Sequence, residues 1–274
     1  MQNRIAVLFI AKNNGISINE TIESCILTIK NWDETCHIDF YGYINDCNDD
    51  TEEQIRKAFI DKDKSIQLTL INSEEKSTSY PSEISSARII SLSKCRNKCL
   101  DIFLESGRID SYNAVAWIDS DYLFDIGLAA KLIPKVISGD ADAISGYSMH
   151  GDIPRLFEQK DLYDKWATRE SDFDHWWACR PYENLPEIVK VSCTFNGFCV
   201  FNPKFFDEAN VFSENGLIGA MEHSGFDVDW ASIFVRGKKI GLRKVFMDKT
   251  VFAFWFKSPS NVGIFWKAYN GHKN

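Results

Sequence analysis

The segment "NAVAWIDSDYLFD", Asn113 to Asp125, decides how this chain is read. An apolar run, Ala114 to Ile118, stops at Asp119, Ser120 and Asp121, and Asp125 follows. The run fits a buried strand. Carboxylates at the tip of such a strand lose hydration and repel each other unless something positive stands between them. Asp and Ser also favour turns, because both bond to nearby backbone. What precedes the segment separates the two possibilities.

Working outward, "RIAVLFIAKN" (4–13) is a continuous apolar run of the kind buried on both faces of a sheet. "SINETIESCILTIKNW" (17–32) follows with helical spacing at Ile18, Ile22, Cys25, Ile26 and Ile29. Its Ser17 and Glu20 have the capping-box spacing. A strand is expected over 37–46, a polar turn at "CNDD", a helix near 51–61 and a strand over 65–73. Residues 74–86 read as a loop, and 87–106 as a long amphipathic helix leading into the strand 114–118. Strands alternating with helices predict βαβ units and an α/β fold with a mostly parallel sheet. Ligands bind such sheets outside the carboxyl ends of the strands. Asp119 and Asp121 lie at one such end, and Asp46, Asp49 and Asp50 at another. The second half is rich in Trp and Phe, with strand-like pieces at 142–148, 189–195, 197–202 and 244–255. It reads as a lobe built onto the sheet.

The chain has 274 residues and a formal net charge of −8, enough to bury a sizeable core. From Arg236 onward, nine basic residues (236, 238, 239, 243, 244, 249, 257, 267 and 273) meet one acid, Asp248. An acidic protein with one basic segment is a poor nucleic-acid binder, but it can hold a small anion locally. No apolar window is long enough for a membrane span, and the start reads as a strand rather than a signal peptide. Eight cysteines without a C-x-x-C pair fit reduced, buried thiols in a cytoplasmic protein.

Hard divalent cations prefer carboxylate oxygens. Mn²⁺ or Mg²⁺ between Asp119 and Asp121 would remove their repulsion and could bridge to a diphosphate, assisting departure of a nucleoside diphosphate. A strand, an Asp-x-Asp and an aromatic-rich lobe resemble a GT-A-fold glycosyltransferase using nucleotide-sugar donors. "INDCNDDT" (44–51) resembles the acidic loop that holds the nucleoside in that fold, and "RNKCL" (96–100) the Arg-Asn segment upstream of its metal motif. "LYDKWATRE" (162–170) and "VKVSCTFNGFCVFNP" (189–203) look like stretches of the fungal capsule-associated mannosyltransferase family and related viral glycosyltransferases. "EHSGFDVDW" (222–230) resembles the acid-rich motif on the helix facing the acceptor.

The resemblance implies one catalytic domain over 1–274, with a Rossmann-like sheet flanked by helices. Residues 1–125 would bind the nucleotide sugar, and 126–274 would form an aromatic-rich acceptor half with a basic C-terminal segment. By the same resemblance Asp121 would ligate the metal directly, with Asp119 nearer the donor and His272 (or His223) completing the shell. Asp46, Asp49, Arg96, Asn196, Gly197, Lys249 and Lys257 would bind donor, with Arg243 and Lys244 joining the two lysines around the diphosphate. Glu222, Asp227 and Asp229 are the candidates for catalysis. An inverting transfer needs a carboxylate base within reach of the acceptor hydroxyl; Asp227 is favoured by analogy, and a retaining enzyme needs no base there. Asn196-Gly197 reads equally as a hairpin turn. Trp176 and Trp177, with Asp174 and His175, are candidates for sugar stacking or for core packing.

The expected activity is transfer of one sugar from a nucleoside-diphosphate sugar, UDP-linked by preference or GDP-mannose, to a glycan hydroxyl. The alternatives are an inactive carbohydrate-binding relative and a sugar nucleotidyltransferase, for which "KNNGIS" is a thin phosphate loop. No G-x-G-x-x-G occurs to support a dinucleotide-binding oxidoreductase. A haloacid-dehalogenase-type phosphatase would carry its Asp-x-Asp on the first strand.

Overall fold

The computed structural model describes residues 2–76, 86–151, 162, 168–171, 181–206, 212 and 229–256. The first apolar run forms β1 (Arg4–Ala11), and α1 (Ile18–Trp32), β2 (His37–Asn45), α2 (Thr51–Ala58) and β3 (Ile66–Ser73) follow. Then come α3 (Ser86–Glu105), β4 (Ala114–Asp119), β5 (Tyr122–Phe124), α4 (Leu128–Ile137) and β6 (Ala143–His150). The described residues continue with β7 (Ile188–Lys190), β8 (Phe198–Phe201), α5 (Asp229–Lys239) and β9 (Val245–Trp255).

All nine strands join one sheet in the order β3-β2-β1-β4-β8-β6-β9-β5, with β7 on β9. The first four are parallel. β8 runs against both β4 and β6, and β9 is parallel to β6, so β6 and β9 point the same way as β4. The sheet is therefore mostly parallel. Its order reverses between β1, which leads outward to β2 and β3, and β4, reached by return through α3. In sheets of this kind such a reversal marks the ligand crevice, here at the carboxyl ends of β1 and β4.

Side chains alternate across each strand and both faces are covered. Ile5, Val7 and Phe9 pack with Ile18, Ile22 and Ile29 of α1, Ile55 of α2 and Leu132 of α4. Ala6 and Leu8 point to the other layer, with Leu100 and Phe103 of α3 and Trp230, Ile233 and Phe234 of α5. Burial on both faces is why β1 and β2 read as unbroken apolar runs. β3, at the edge of the sheet, alternates half-buried and exposed positions instead.

Three expectations are corrected. Ser17 occupies the N-cap of α1 but makes no capping bond, and its buried Oγ has no partner. The turn is closed instead by the backbone amides of Ser17 and Ile18, both donating to the carbonyl of Asn14 at 3.0 Å. The strand expected over 189–195 shrinks to three residues because Ser192 and Cys193 leave the ladder to pair with Arg169. Asn196-Gly197 is no hairpin, since β7 pairs with β9 while β8 lies between β4 and β6. The helix α4, for which the sequence reading has no counterpart, carries Pro134 in its interior.

The described aromatics of the second half pack into the core rather than forming a free-standing lobe. Phe195 stacks on Trp230 with centroids 4.1 Å apart, and Trp117 meets Trp230 edge-on at 5.3 Å. The seven described cysteines are free thiols, and five of them are buried. No helix among the described residues is long and apolar enough to cross a membrane.

Candidate functional site

The Asp-Ser-Asp turn stands at the carboxyl end of β4, beside the crevice. Two neighbouring elements hold Ser120: Asn14 Nδ2 donates to its Oγ at 2.6 Å, and Thr21 Oγ1 to its carbonyl at 3.1 Å. Ser120 is buried, while the flanking carboxylates keep some exposure. The turn is thus anchored by its middle residue, which leaves Asp119 and Asp121 at the surface of the crevice.

Two contacts bound Asp119. Its amide donates to the carbonyl of Gly197 at 3.0 Å, and its Oδ1 lies 3.5 Å from Arg96 Nη2. Burial holds its carboxyl above the ordinary value, against the opposing charges of Arg96 and Arg88. Arg96 is only 5% exposed and lies among aromatic faces, with Cζ 4.9 Å from the Trp230 ring, 5.7 Å from Phe195 and 5.9 Å from Phe212. Cation–π contacts of this kind contribute about 0.5–2 kcal/mol each and fix the direction of the guanidinium. Asp121 accepts from Trp255 Nε1 at 2.9 Å, and the Trp255 ring in turn meets His150 edge-on, with centroids 5.5 Å apart.

Gly197 brings the start of β8 against the turn. Its φ is +72°, and a Cβ there would come within 2.4 Å of the Tyr122 ring, so both backbone and space require glycine. Asn196 before it is fully buried in a left-handed conformation, φ +56°. Its Nδ2 donates to Ser145 Oγ, Gly146 O and Thr194 Oγ1, and its Oδ1 accepts from Ser148 Oγ and Thr168 Oγ1, all at 3.0–3.2 Å. The amide is therefore engaged inside the protein, and its work is to hold Gly197 in place.

The loop after β2 behaves similarly. Asp49 Oδ2 accepts from the Gly15 amide at 2.9 Å, and its Oδ1 from the amide and hydroxyl of Thr51. Thr51 Oγ1 then accepts from the Asn14 amide at 2.7 Å. Asp46, φ +51°, pairs with Lys12 at 3.1 Å. These contacts lock the β1–α1 and β2–α2 loops together along the rim of the crevice.

The basic residues are distributed differently from expectation. Lys249 donates to the carbonyls of Tyr182 and Leu185 and lies over the Tyr182 ring, so its ammonium holds a loop. Arg243 and Lys244 precede β9, which runs parallel to β4, and so lie at the amino end of the strands, opposite Asp119. Their amides bond Asp142, and Lys244 Nζ bonds the Gly139 carbonyl. Arg243, Lys244 and Lys249 are thus not assembled around the crevice.

Lys257, His272, His223, Glu222, Asp227, Asp174, His175, Trp176 and Trp177 lie outside the described residues. Asp229 opens α5, and its neighbour Trp230 contacts Arg96, which places the start of that helix next to the partner of Asp119. Among the described residues no group of three or more His, Cys, Asp or Glu side chains is placed to hold a metal. Two carboxylates flanking an anchored serine are nonetheless hard oxygen donors, the type that Mg²⁺ and Mn²⁺ take. Sequence reasoning missed Asn14, Thr21, Trp255 and Arg88. For Asn14 and Trp255 a signal existed, since both stand at carboxyl ends of strands that point toward the turn.

The sheet order, the crevice and the helices on both faces define a GT-A-type fold. Solved structures similar to this chain include a mannosyltransferase, PcManGT, from Pyrobaculum calidifontis in complex with GDP-Man and Mn²⁺. Its TM-score is 0.50 at 13% identity, over 90% of this chain and 57% of that one. TarS 1-349 of S. aureus in complex with UDP gives 0.52 at 12% identity, over 98% and 65%. The same protein with UDP-GlcNAc gives 0.52 at 11% identity, over 94% and 59%. The chain thus spans 57% to 65% of the length of these structures. No protein-family model matches the chain, and no curated protein does.

Proposed function

We propose that this chain is a metal-dependent glycosyltransferase, moving one sugar from a nucleoside-diphosphate sugar to a hydroxyl of a glycan acceptor. The observation that carries the reading is the pair Asp119 and Asp121 at the carboxyl end of β4, beside the sheet reversal of a GT-A-type fold. In the reaction the acceptor oxygen bonds to the anomeric carbon, the bond from that carbon to the diphosphate breaks, and the hydroxyl proton passes to a base. Asp121 and Asp119 would hold Mn²⁺ or Mg²⁺, with His272 as a further ligand. When bound, the cation neutralises charge on the departing diphosphate.

The chain's own residues supply orientation. Asn14 and Thr21 fix the turn, Arg96 faces Asp119, and Asn196 sets the Gly197 carbonyl against the Asp119 amide. The rim formed by Asp46 and Asp49 would border the nucleoside, with Lys257 approaching the diphosphate. Of Glu222, Asp227 and Asp229, Asp227 is assigned as base for an inverting outcome. A UDP-sugar is the favoured donor. GDP-mannose is the alternative, supported by the likeness of 162–170 and 189–203 to fungal mannosyltransferases and by the GDP-Man held by PcManGT. Residues 126–274 would form the acceptor half.

The test is a thermal-shift panel of UDP, GDP, TDP and CMP, each with Mn²⁺ and with chelator. A Mn²⁺-dependent rise with one nucleotide, lost in Asp121→Ala, supports the reading and names the donor class. Absence of any rise in well-folded protein, together with glycan binding and no consumption of nucleotide sugar, would overturn it in favour of a carbohydrate-binding protein.

A further inference from the structure

The strand order ends in β3 on one side and β5 on the other. β5 covers only Tyr122–Phe124, all buried, so it offers little open backbone. β3 runs for eight residues and pairs with β2 alone, in an unbroken parallel register. The carbonyls of Ser65 and Ser73 accept from the amides of Ile38 at 2.8 Å and Asp46 at 2.9 Å. The odd-numbered residues of β3 therefore direct their backbone groups at β2. Ile66, Leu68, Leu70 and Asn72 direct theirs away from the sheet. The Ile66 amide is taken by the Asp63 carbonyl at 2.9 Å, and among the described residues nothing takes the others.

Edge strands are ordinarily guarded by a charge, a proline or a bulge. β3 is uncharged, has no proline and keeps its register without a bulge. Gln67, Thr69 and Ile71 are exposed, Ile71 to 43%. Charges stand just outside the strand, Lys64 before it and Glu74 after it. Both are exposed, and neither has an ion-pair partner among the described residues. The neighbouring Lys62 and Asp63 are engaged within the chain, with Glu23 and with the Ser65 amide.

We propose that β3 is a dimerisation edge, at which two copies of this chain pair their β3 strands antiparallel about a two-fold axis at Thr69. Leu68 of each copy then exchanges backbone bonds with Leu70 of the other, and Ile66 meets Asn72, giving about six hydrogen bonds. Lys64 of each copy stands opposite Glu74 of the other. This self-complementary charge is what favours a second copy over an unrelated strand. Backbone direction allows the register to slip only by two residues. One slip sets Lys64 against Lys76 and the other sets it against Asn72, so charge favours the register centred on Thr69. The inference stands apart from the donor site and uses no nucleotide. One strand pair buries less than the ~1,200 Å² of a standard interface, so association is expected at micromolar rather than nanomolar concentration.

Sedimentation velocity of the wild type from about 1 to 300 μM, beside Thr69→Lys, Lys64→Glu, Glu74→Lys and the Lys64→Glu/Glu74→Lys double variant, tests this. The wild type is expected to dimerise. Thr69→Lys, which sets two ammonium groups face to face at the axis, should weaken association about tenfold or more with the melting temperature unchanged. Each single charge reversal should also weaken it, and the double variant should recover it. Should Thr69→Lys fail to fold, the charge reversals still decide. A wild type that stays monomeric throughout overturns the proposal, and means that something other than a second copy covers this edge. Dimers indifferent to Thr69→Lys overturn it too, by placing the contact elsewhere. A double variant no stronger than the single reversals refutes the antiparallel register.

Discussion

Trp255, at the end of β9, donates its indole Nε1 to Oδ2 of Asp121 at 2.9 Å, so the last described strand holds one carboxylate of the Asp-Ser-Asp turn. β5 runs between them in sequence and pairs Tyr122 with Trp255, which makes this contact part of the sheet's own register. The orientation of Asp121 is therefore set by a residue 134 positions away.

Replacing that indole tests the link. Trp255→Phe keeps an aromatic ring beside His150 but removes the donor. A hydrogen bond of this kind contributes about 1 kcal/mol to stability, so a chemical-denaturation midpoint should fall modestly. The expected larger effect is on Mn²⁺-dependent nucleotide binding, because Asp121 would lose its fixed direction. Unchanged binding would show that Asp121 does not need this support.

The buried amide of Asn196 makes a separable pair of contributions. Asn196→Gly deletes its hydrogen bonds while permitting φ +56°, and Asn196→Ala deletes them and adds backbone strain. Leaving Ser145, Ser148, Thr168 and Thr194 without this partner should cost about 2–4 kcal/mol, from buried groups at about 1–3 kcal/mol each with partial rescue among themselves. Alanine should cost roughly 1 kcal/mol more than glycine. Urea unfolding of both variants measures this. Equal stabilities would show that strain is not stored at this position.

Asp49 makes stability depend on pH in one direction. Burial raises its pKa, but the hydroxyl of Thr51 and the amides of Gly15 and Thr51 more than offset this and hold it below the ordinary carboxylate value. A group depressed in the folded state stabilises the fold above its unfolded pKa of about 3.9, and that contribution disappears as pH falls through the lower folded value. Asp49→Ala should therefore melt below wild type at pH 7, and the gap should close under acid conditions below about pH 4. A constant gap across pH would mean that the carboxylate's charge plays no part in locking the loops.

Much of the first half was legible because local and global preferences agree there. Apolar runs in β1, β2 and β4 are strands buried on both faces, and the spacing of Ile18, Ile22 and Ile29 matches the side of α1 that packs on them. The second half was less legible because its signals are ambiguous locally. Asn196-Gly197 has the composition of a hairpin, yet its amide is drawn into a network from β6 and the segment around Thr168, partners remote in sequence. The basic residues after 236 cluster along the chain, but Lys244 stands just before β9, at the amino end of that strand, while Trp255 ends it at the carboxyl end beside Asp121.

By itself the sequence determined the alternation of strands and helices up to β4, and with it the placement of Asp119 and Asp121 at a strand's carboxyl end. Hydrophobic periodicity specifies elements and faces from neighbours a few residues apart. Only the tertiary structure decided what surrounds those carboxylates: Arg96 directed by aromatic rings, Ser120 held by Asn14 and Thr21, and Asp121 held by Trp255. These contacts depend on strand order and direction, and no local pattern of residue types encodes those distances.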